Sequence, residues 1–489
     1  MTLVLILVVP IMAGALAWAT ERVHRDLPRW IAVAALAVDG LLMLRLWPLL
    51  DDAAPGGWIA EVSRAWVPGL GIRFHLAVDG LSLVMLLLTA FLGLVAVVAS
   101  WRVDSRIGLF HANLLWVLAG VCGVFMAMDL ILFYVVWELM LVPMVLLIAL
   151  WGYGRRWYAA IKFFVYTQAG GLLMLVAIVA LALIRARGGE LSFAYADLLG
   201  TELSPTAGLW LMAGFLAAFA VKLPAFPVHG WLPDAHTQAP TAGSVVLAGL
   251  LLKTGAYGIL RFAIPLFPDA AKVLAPAMMA LGAIGILYGA VLAFAQSDVK
   301  RLVAYTSVSH LGFVLVGAFA FHQLAVAGSV VQMVAHGLST GALFVLAGIL
   351  SERTGTRDFG RLGGLWTIAP RMAVAGLFFA LASLGLPGTG NFVAEILVLL
   401  GAFKVNVGIT ALATFGLVLA TVYSLRLMHG VFLGPNREGW EFPDVDLREG
   451  AVLLVMALVL LWIGLYPSPI LDAVAPAVDA VVAAGGGAG

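Results

Sequence analysis

VKLPAFPVHGWLPDAHTQAPTAGS, residues 221–244, sets a lysine against two prolines in a strongly apolar chain. Pro224 and Pro227 lack a backbone N–H and disturb the hydrogen-bond ladder of any helix that carries them. The helix that ends in Lys222 must therefore break. At membrane depth, broken helices persist only where the freed backbone groups face protein or water. Transporter sites are often built at such breaks. The meaning of Lys222 thus turns on whether this stretch lies in lipid.

Composition places it there. Of 489 residues, 63% are hydrophobic and only 11% charged, against roughly 25% charged in soluble domains. Apolar runs of about 20 residues, enough to cross the hydrocarbon as helices, recur along nearly the whole chain. The expected fold is an all-α polytopic membrane protein. A net charge of +1 gives no argument for a nucleic-acid partner, and lipids are the expected surroundings. Cys122 is the only cysteine, so no internal disulfide or iron–sulfur cluster is expected from this chain alone.

Fourteen spans are expected near 2–20, 28–47, 75–100, 107–127, 129–151, 158–184, 207–227, 240–262, 273–295, 300–320, 323–350, 371–402, 406–429 and 450–473. The first lacks a preceding basic region and a convincing cleavage site, and reads as a retained helix. With the N-terminus outside, sixteen of the 27 Lys and Arg residues fall on the cytoplasmic side, Lys300 among them, and seven outside. Arg45, Lys162, Lys222 and Lys253 lie within spans. The positive-inside rule therefore favours both termini on the outer, periplasmic side.

Ionisable groups at mid-bilayer cost a few kcal/mol even on the gentlest scale, so they mark candidate sites. Glu138, in FYVVWELMLVP, is too short to reach an interface. It is either a protonated carboxyl bonded to a neighbour or a carboxylate switched by a nearby cation. Lys222 either snorkels beside the kink or exchanges its proton near neutral pH. Lys253, in LLLKTGAYG, lies too deep to snorkel easily and is a relay residue or half of a static pair. Lys162 sits only a few residues into its span, where snorkelling and a functional role are about equally open. His310 and His336 suit proton exchange together better than either does alone. Glu395 follows a second break, at Gly385, Pro387 and Gly388, and reads as a terminal proton site or a helix-end cap. Asp79 reads as a local cap and Asp39 as a partner for Arg45. His229 and His236 flank WLPDA without the further ligands a metal would need.

The marks occur twice. Lys222 to Glu395 is 173 residues, Glu138 to His310 is 172, and Gln168 to His336 is 168. Two five-span units are expected, at 107–262 and 273–429, after three N-terminal helices in 1–106 and before a last helix at 450–473. Five is odd, so the units are inverted relative to each other, with broken seventh and twelfth helices. Inverted repeats are a common transporter construction. A Glu138–Lys222 ion pair is expected between spans five and seven. From Lys222 a proton path would run by Lys253, His336 and His310 to Glu395.

WELMLVPMVLLIALWG, FAVKLPAFPVHGWLPDAHTQAPTAGS, LLKTGAYGILRF, DVKRLVAYTSVSHLGFVL, MVAHGLSTGALF and LGLPGTGNFVAE resemble the antiporter-like membrane subunits of respiratory complex I. That family extends to subunits of multi-component sodium/proton antiporters. The resemblance covers nearly the whole chain. It implies fourteen helices, two inverted repeats and a hydrated proton path through Glu138, Lys222 and Lys253. The twelfth-span residue is lysine in sister chains L and N, glutamate in a third, and glutamate here at Glu395. The short tail after span fourteen, in contrast to chain L, argues against L. The resemblance also implies a bacterial inner-membrane location and complex I partners, especially L and N. NADH, FMN, iron–sulfur clusters and quinone would sit on those partners, leaving no redox centre here. The chain itself carries no dinucleotide glycine fingerprint after a strand and no cysteine cluster.

Three functions are open at this level. The chain is a proton-translocating subunit of an NADH:quinone oxidoreductase driven by quinone reduction elsewhere, a subunit of a sodium/proton antiporter, or a passive scaffold whose buried charges hold helices together.

Overall fold

The computed structural model describes residues 1–51 and 57–486. Among the described residues, thirteen helices are long and apolar enough to cross a membrane. Two shorter apolar helices, Pro370–Ser383 and Gly390–Phe403, lie end to end and supply a fourteenth, interrupted crossing. Spans eight (Thr241–Leu266), ten (Val299–Phe319) and eleven (Gln323–Thr354) are buried along almost their whole length. Spans one (Thr2–Thr20), two (Leu27–Leu50), nine (Pro268–Phe294), thirteen (Val407–Val431) and fourteen (Leu447–Leu465) keep much of their apolar surface exposed. That surface is compatible with lipid or with neighbouring helices.

Aspartates start four of the spans. Asp79 accepts from the Ser82 amide at 2.9 Å at the head of span three (Gly80–Ala99). Asp129 accepts from Ile131 and Leu132 at the head of span five (Leu130–Trp151), and Asp298 from Arg301 at span ten. Asp446 and Glu449 form a reciprocal capping box at span fourteen. Each cap satisfies amides that would otherwise lack partners at a helix end.

Span seven runs from Pro205 to Lys222 and then breaks. The chain resumes as a short helix, Leu232–Gln238. Pro224 and Pro227 lie inside the break. Two carbonyls freed by it find partners. The Ala225 amide donates to Ala220 O at 2.9 Å, and the Trp231 indole donates to Val221 O at 2.9 Å. Span twelve breaks between Ser383 and Gly390, where Gly385 and Gly388 take φ of 83° and 94°. Only glycine enters that region without strain. At Gly385 there is a second reason. A Cβ there would stand 2.9 Å from Glu395 Oε2, so the missing side chain lets the carboxylate approach the break.

Three features differ from the sequence reading. Residues 75–78 do not begin span three. They belong to a two-stranded antiparallel hairpin, β1 (Ala60–Val67) with β2 (Ile72–Val78), and the helix starts at Gly80 behind the Asp79 cap. Span fourteen stops at Leu465, short of the expected 473, because Pro467 and Pro469 cannot continue its ladder. A separate helix, Ser468–Ala484, follows and buries Ile470, Val474, Val478 and Val481. It packs mainly on spans three and eleven and also touches the end of span eight. Span five is interrupted at Met140, two residues past Glu138.

Trp231→Phe keeps the ring but removes the donor to Val221 O. An unpaired buried carbonyl costs about 1–3 kcal/mol, so the thermal midpoint of the detergent-extracted protein should fall by several degrees. An unchanged midpoint would mean that the break does not need this bond.

Candidate functional site

Lys222, Lys253, His310, His336 and Glu395 are buried in the bundle, while Glu138 is half-buried. Lys222 is 1% exposed, Lys253, His336 and Gln332 0%, His310 1% and Glu395 3%. They fall into two sets with different arrangements.

Lys253, His336, His310 and Glu395 form two hydrogen-bonded pairs. Lys253 lies just past a π-helical turn, Leu247–Leu251, in span eight. Its ammonium reaches Ala248 O at 2.5 Å and His336 Nδ1 at 2.6 Å. Widened turns of this kind free carbonyls and are frequent at functional sites. Spans eight and eleven approach closely through Gly249 and Gly337, where a Cβ on Gly337 would lie 3.1 Å from Gly249 O. The rings of His336 and His310 are 5.6 Å apart between centroids, inclined at 63°. His310 Nδ1 meets Glu395 Oε1 at 3.0 Å. His310 Nε2 lies 3.0 Å from Ser383 Oγ and 3.2 Å from the Tyr423 hydroxyl. Gln332 Nε2 donates to Glu395 Oε1 at 3.3 Å. Lys253–His336 and His310–Glu395 are thus at distances where protons pass directly.

Lys222 and Glu138 are not joined in this way. The expected Glu138–Lys222 ion pair is absent from the salt bridges among the described residues, and Lys222 Nζ and Glu138 Oε1 have no hydrogen-bond partner. Instead Lys222 Nζ stands 5.0 Å from the ring centre of Trp137 and 5.7 Å from that of Phe163. Glu138 Oε1 is turned towards span six (Arg156–Ala186), where a Cβ on Gly171 would lie 2.5 Å from it. Sequence spacing places residues on neighbouring helices but does not select their rotamers, which is why the pair was expected and is not formed.

The other candidates resolve individually. Lys162 bonds Asp234 at 2.6 Å. Asp79 caps span three as expected and also pairs with Arg261. Asp39 does not pair with Arg45. It is 2% exposed with Oδ1 unpartnered, while Arg45 is exposed. Lys300, expected at a cytoplasmic loop, is fully buried and donates to Ala239 O at 2.8 Å. Neither ring nitrogen of His236 has a partner, and the ring stacks on Phe344 at 4.5 Å. Among the described residues no three His, Cys, Asp or Glu side chains gather as a metal site. Gln332, Ser383, Tyr423 and Trp137 escaped the sequence reading. Uncharged polar and aromatic residues in spans carry a much smaller desolvation penalty than charges and can satisfy it with one hydrogen bond, so burial alone does not mark them. The nearest signal was Gln332 at one helical turn from His336.

The fold and this buried row define a class: a polytopic membrane protein of the antiporter type, with paired helix breaks and ionisable side chains at mid-membrane. Comparison makes that specific. The family described as NADH:quinone oxidoreductase/Mrp antiporter, TM matches residues 127–421. The chain is 52% identical to the NADH-quinone oxidoreductase subunit M of Pseudomonas aeruginosa, covering 96% of this chain and 94% of that protein. It is 50% identical to the subunit M of Escherichia coli K12, covering 96% and 95%. A chain of respiratory complex I from Thermus thermophilus with bound NADH superimposes with a TM-score of 0.90 at 33% identity, covering both chains fully. A chain of the Mrp complex from Dietzia shares the fold, with a TM-score of 0.85 at 22% identity over 98% of this chain and 96% of that one. The chain belongs to the NADH:quinone oxidoreductase/Mrp antiporter membrane-subunit family.

Ser383 and Tyr423 both reach His310 Nε2, so each compensates for loss of the other. Ser383→Ala or Tyr423→Phe alone should change the thermal midpoint little. Together they leave a buried ring nitrogen unpaired, at a cost of about 1–3 kcal/mol. Thermal unfolding of the three variants should therefore be non-additive. Simple additivity would contradict the shared role.

Proposed function

We propose that this chain is the M-type membrane-arm subunit of a bacterial NADH:quinone oxidoreductase and translocates protons, driven by quinone reduction elsewhere. The observation that carries the proposal is the buried contact series Lys253–His336 and His310–Glu395, in a chain about half identical to two M subunits along nearly its whole length. NADH, FMN, iron–sulfur clusters and quinone then belong to partner subunits, with the L- and N-type chains as the nearest neighbours. The positive-inside count supports both termini on the periplasmic side. The two breaks, at 223–231 and 384–389, support two inverted five-span units.

A passive scaffold is the poorer reading. A structural ion pair needs its partners in contact, since an unpaired buried charge is strongly destabilising. Lys222 and Glu138 are not in contact. The sodium/proton antiporter reading shares the family model, but the relatives about half identical along the chain are M subunits.

In mechanism, Lys253 and His336 exchange a proton along one hydrogen bond. His310 does the same with Glu395, while Gln332 steadies the carboxylate. The His336–His310 step and the Lys222–Lys253 step each need a water molecule or a side-chain swing. Glu138 controls Lys222: when the two meet, the ammonium is stabilised, and when they part, it gives up its proton more readily.

Lys253→Met in the assembled complex should lower proton pumping about tenfold or more, as expected for loss of a proton-transfer group, with the partner subunits still bound. Pumping is read by dye quenching in inverted vesicles and assembly by native electrophoresis. Normal pumping would remove Lys253 from the path. Normal pumping by Glu138→Ala or Lys222→Met would end the conduction reading, and loss of assembly alone would restore the scaffold.

A further inference from the structure

Lys222 poses a problem that the proton path leaves unsolved. Its ammonium is buried, makes no hydrogen bond and has no carboxylate within 4.0 Å. A cation left in that state costs several kcal/mol. The groups that face it are aromatic. Trp137, from span five, has its ring centre 5.0 Å from Nζ, and Phe163, from span six, 5.7 Å. Both are within the roughly 6 Å over which a ring face attracts a cation, and indole is the strongest such ring. Trp137 is itself held in place. Phe133 and Phe219 flank it with ring centres 5.6 Å away on each count, and it is 2% exposed. Glu138 is the next residue on the same helix, about 100° further round. The aromatic face and the carboxylate therefore lie side by side for one lysine.

We propose that Trp137 is a positioning residue of the proton path, its indole face serving as the resting partner of the Lys222 ammonium when Glu138 has let go. This rests on the reading of Lys222 as a proton-exchanging group. The indole holds the cation in the buried site without neutralising it, and it neither accepts nor gives the proton. Phe163 closes the other side. Lys222 then has two alternative seats, an aromatic one and a carboxylate one, and moving between them changes its tendency to release the proton. With the aromatic seat weakened, Lys222 stays with Glu138 or loses its charge early, and transfer slows.

The test is a series of tryptophan analogues at residue 137, carrying one, two and three ring fluorines, in the complete assembled complex. Fluorine barely changes the shape of the ring but drains charge from its face. Pumping in inverted vesicles, per assembled complex, should fall stepwise with each fluorine, reaching a loss of about tenfold in Trp137→Leu. Trp137→Phe should retain more activity than Trp137→Leu. A flat or rising fluorine series overturns the proposal, because a purely steric role would not respond to ring charge. Lys222→Met is measured beside it. If that variant pumps normally, the reading of Lys222 itself fails; if it is inactive while the fluorine series is flat, only the role of Trp137 fails.

Discussion

Backbone polar groups inside a bilayer have no water to fall back on, and that constraint governs this structure. An unbroken helix satisfies it automatically. A broken one leaves amides and carbonyls that must be matched individually. At span seven the Trp231 indole takes the carbonyl of Val221, and the Ala225 amide takes that of Ala220. At span twelve, two left-handed glycines turn the chain within six residues and leave room for Glu395 beside them. The breaks are thus tolerated because the local sequence supplies substitutes. Each sits next to an ionisable residue, Lys222 before the first and Glu395 after the second.

Buried charge is handled in two ways. Lys253–His336 and His310–Glu395 are hydrogen-bonded pairs, with the two histidine rings 5.6 Å apart between centroids. Lys222 rests against aromatic faces without a hydrogen bond to Glu138, whose Oε1 has no partner. A hydrogen bond lowers the barrier to moving a proton, and a gap raises it. Gly249 and Gly337 allow the close crossing of spans eight and eleven, which carry Lys253 and His336.

Much of this was legible in the sequence. A lipid-facing helix must be a long apolar run, so the spans stand out, and prolines 224 and 227 and glycines 385 and 388 mark the breaks. Charged residues in such runs are conspicuous, which is why Glu138, Lys222, Lys253 and Glu395 were visible. The hairpin at 60–78 was partly hidden because FHLAV is as apolar as the helix that follows. Its signs were the Pro68–Gly69 and Gly71 turn residues. The helix 468–484 was missed because span fourteen appeared to run on through Pro467. Contacts that depend on side-chain rotamers were out of reach. The absent Glu138–Lys222 pair and the convergence of Ser383 and Tyr423 on His310 are both of that kind.

Proton transfer along this row requires crossing the intervals between Lys222 and Lys253 and between His336 and His310. The most direct measurement is a map of the assembled complex at a resolution that locates bound water. Ordered waters within hydrogen-bond distance of the Lys222 and Lys253 amines and of both histidine rings are the predicted result. Intervals filled by apolar side chains, with Lys222 bound to one carboxylate in every state captured, would contradict it.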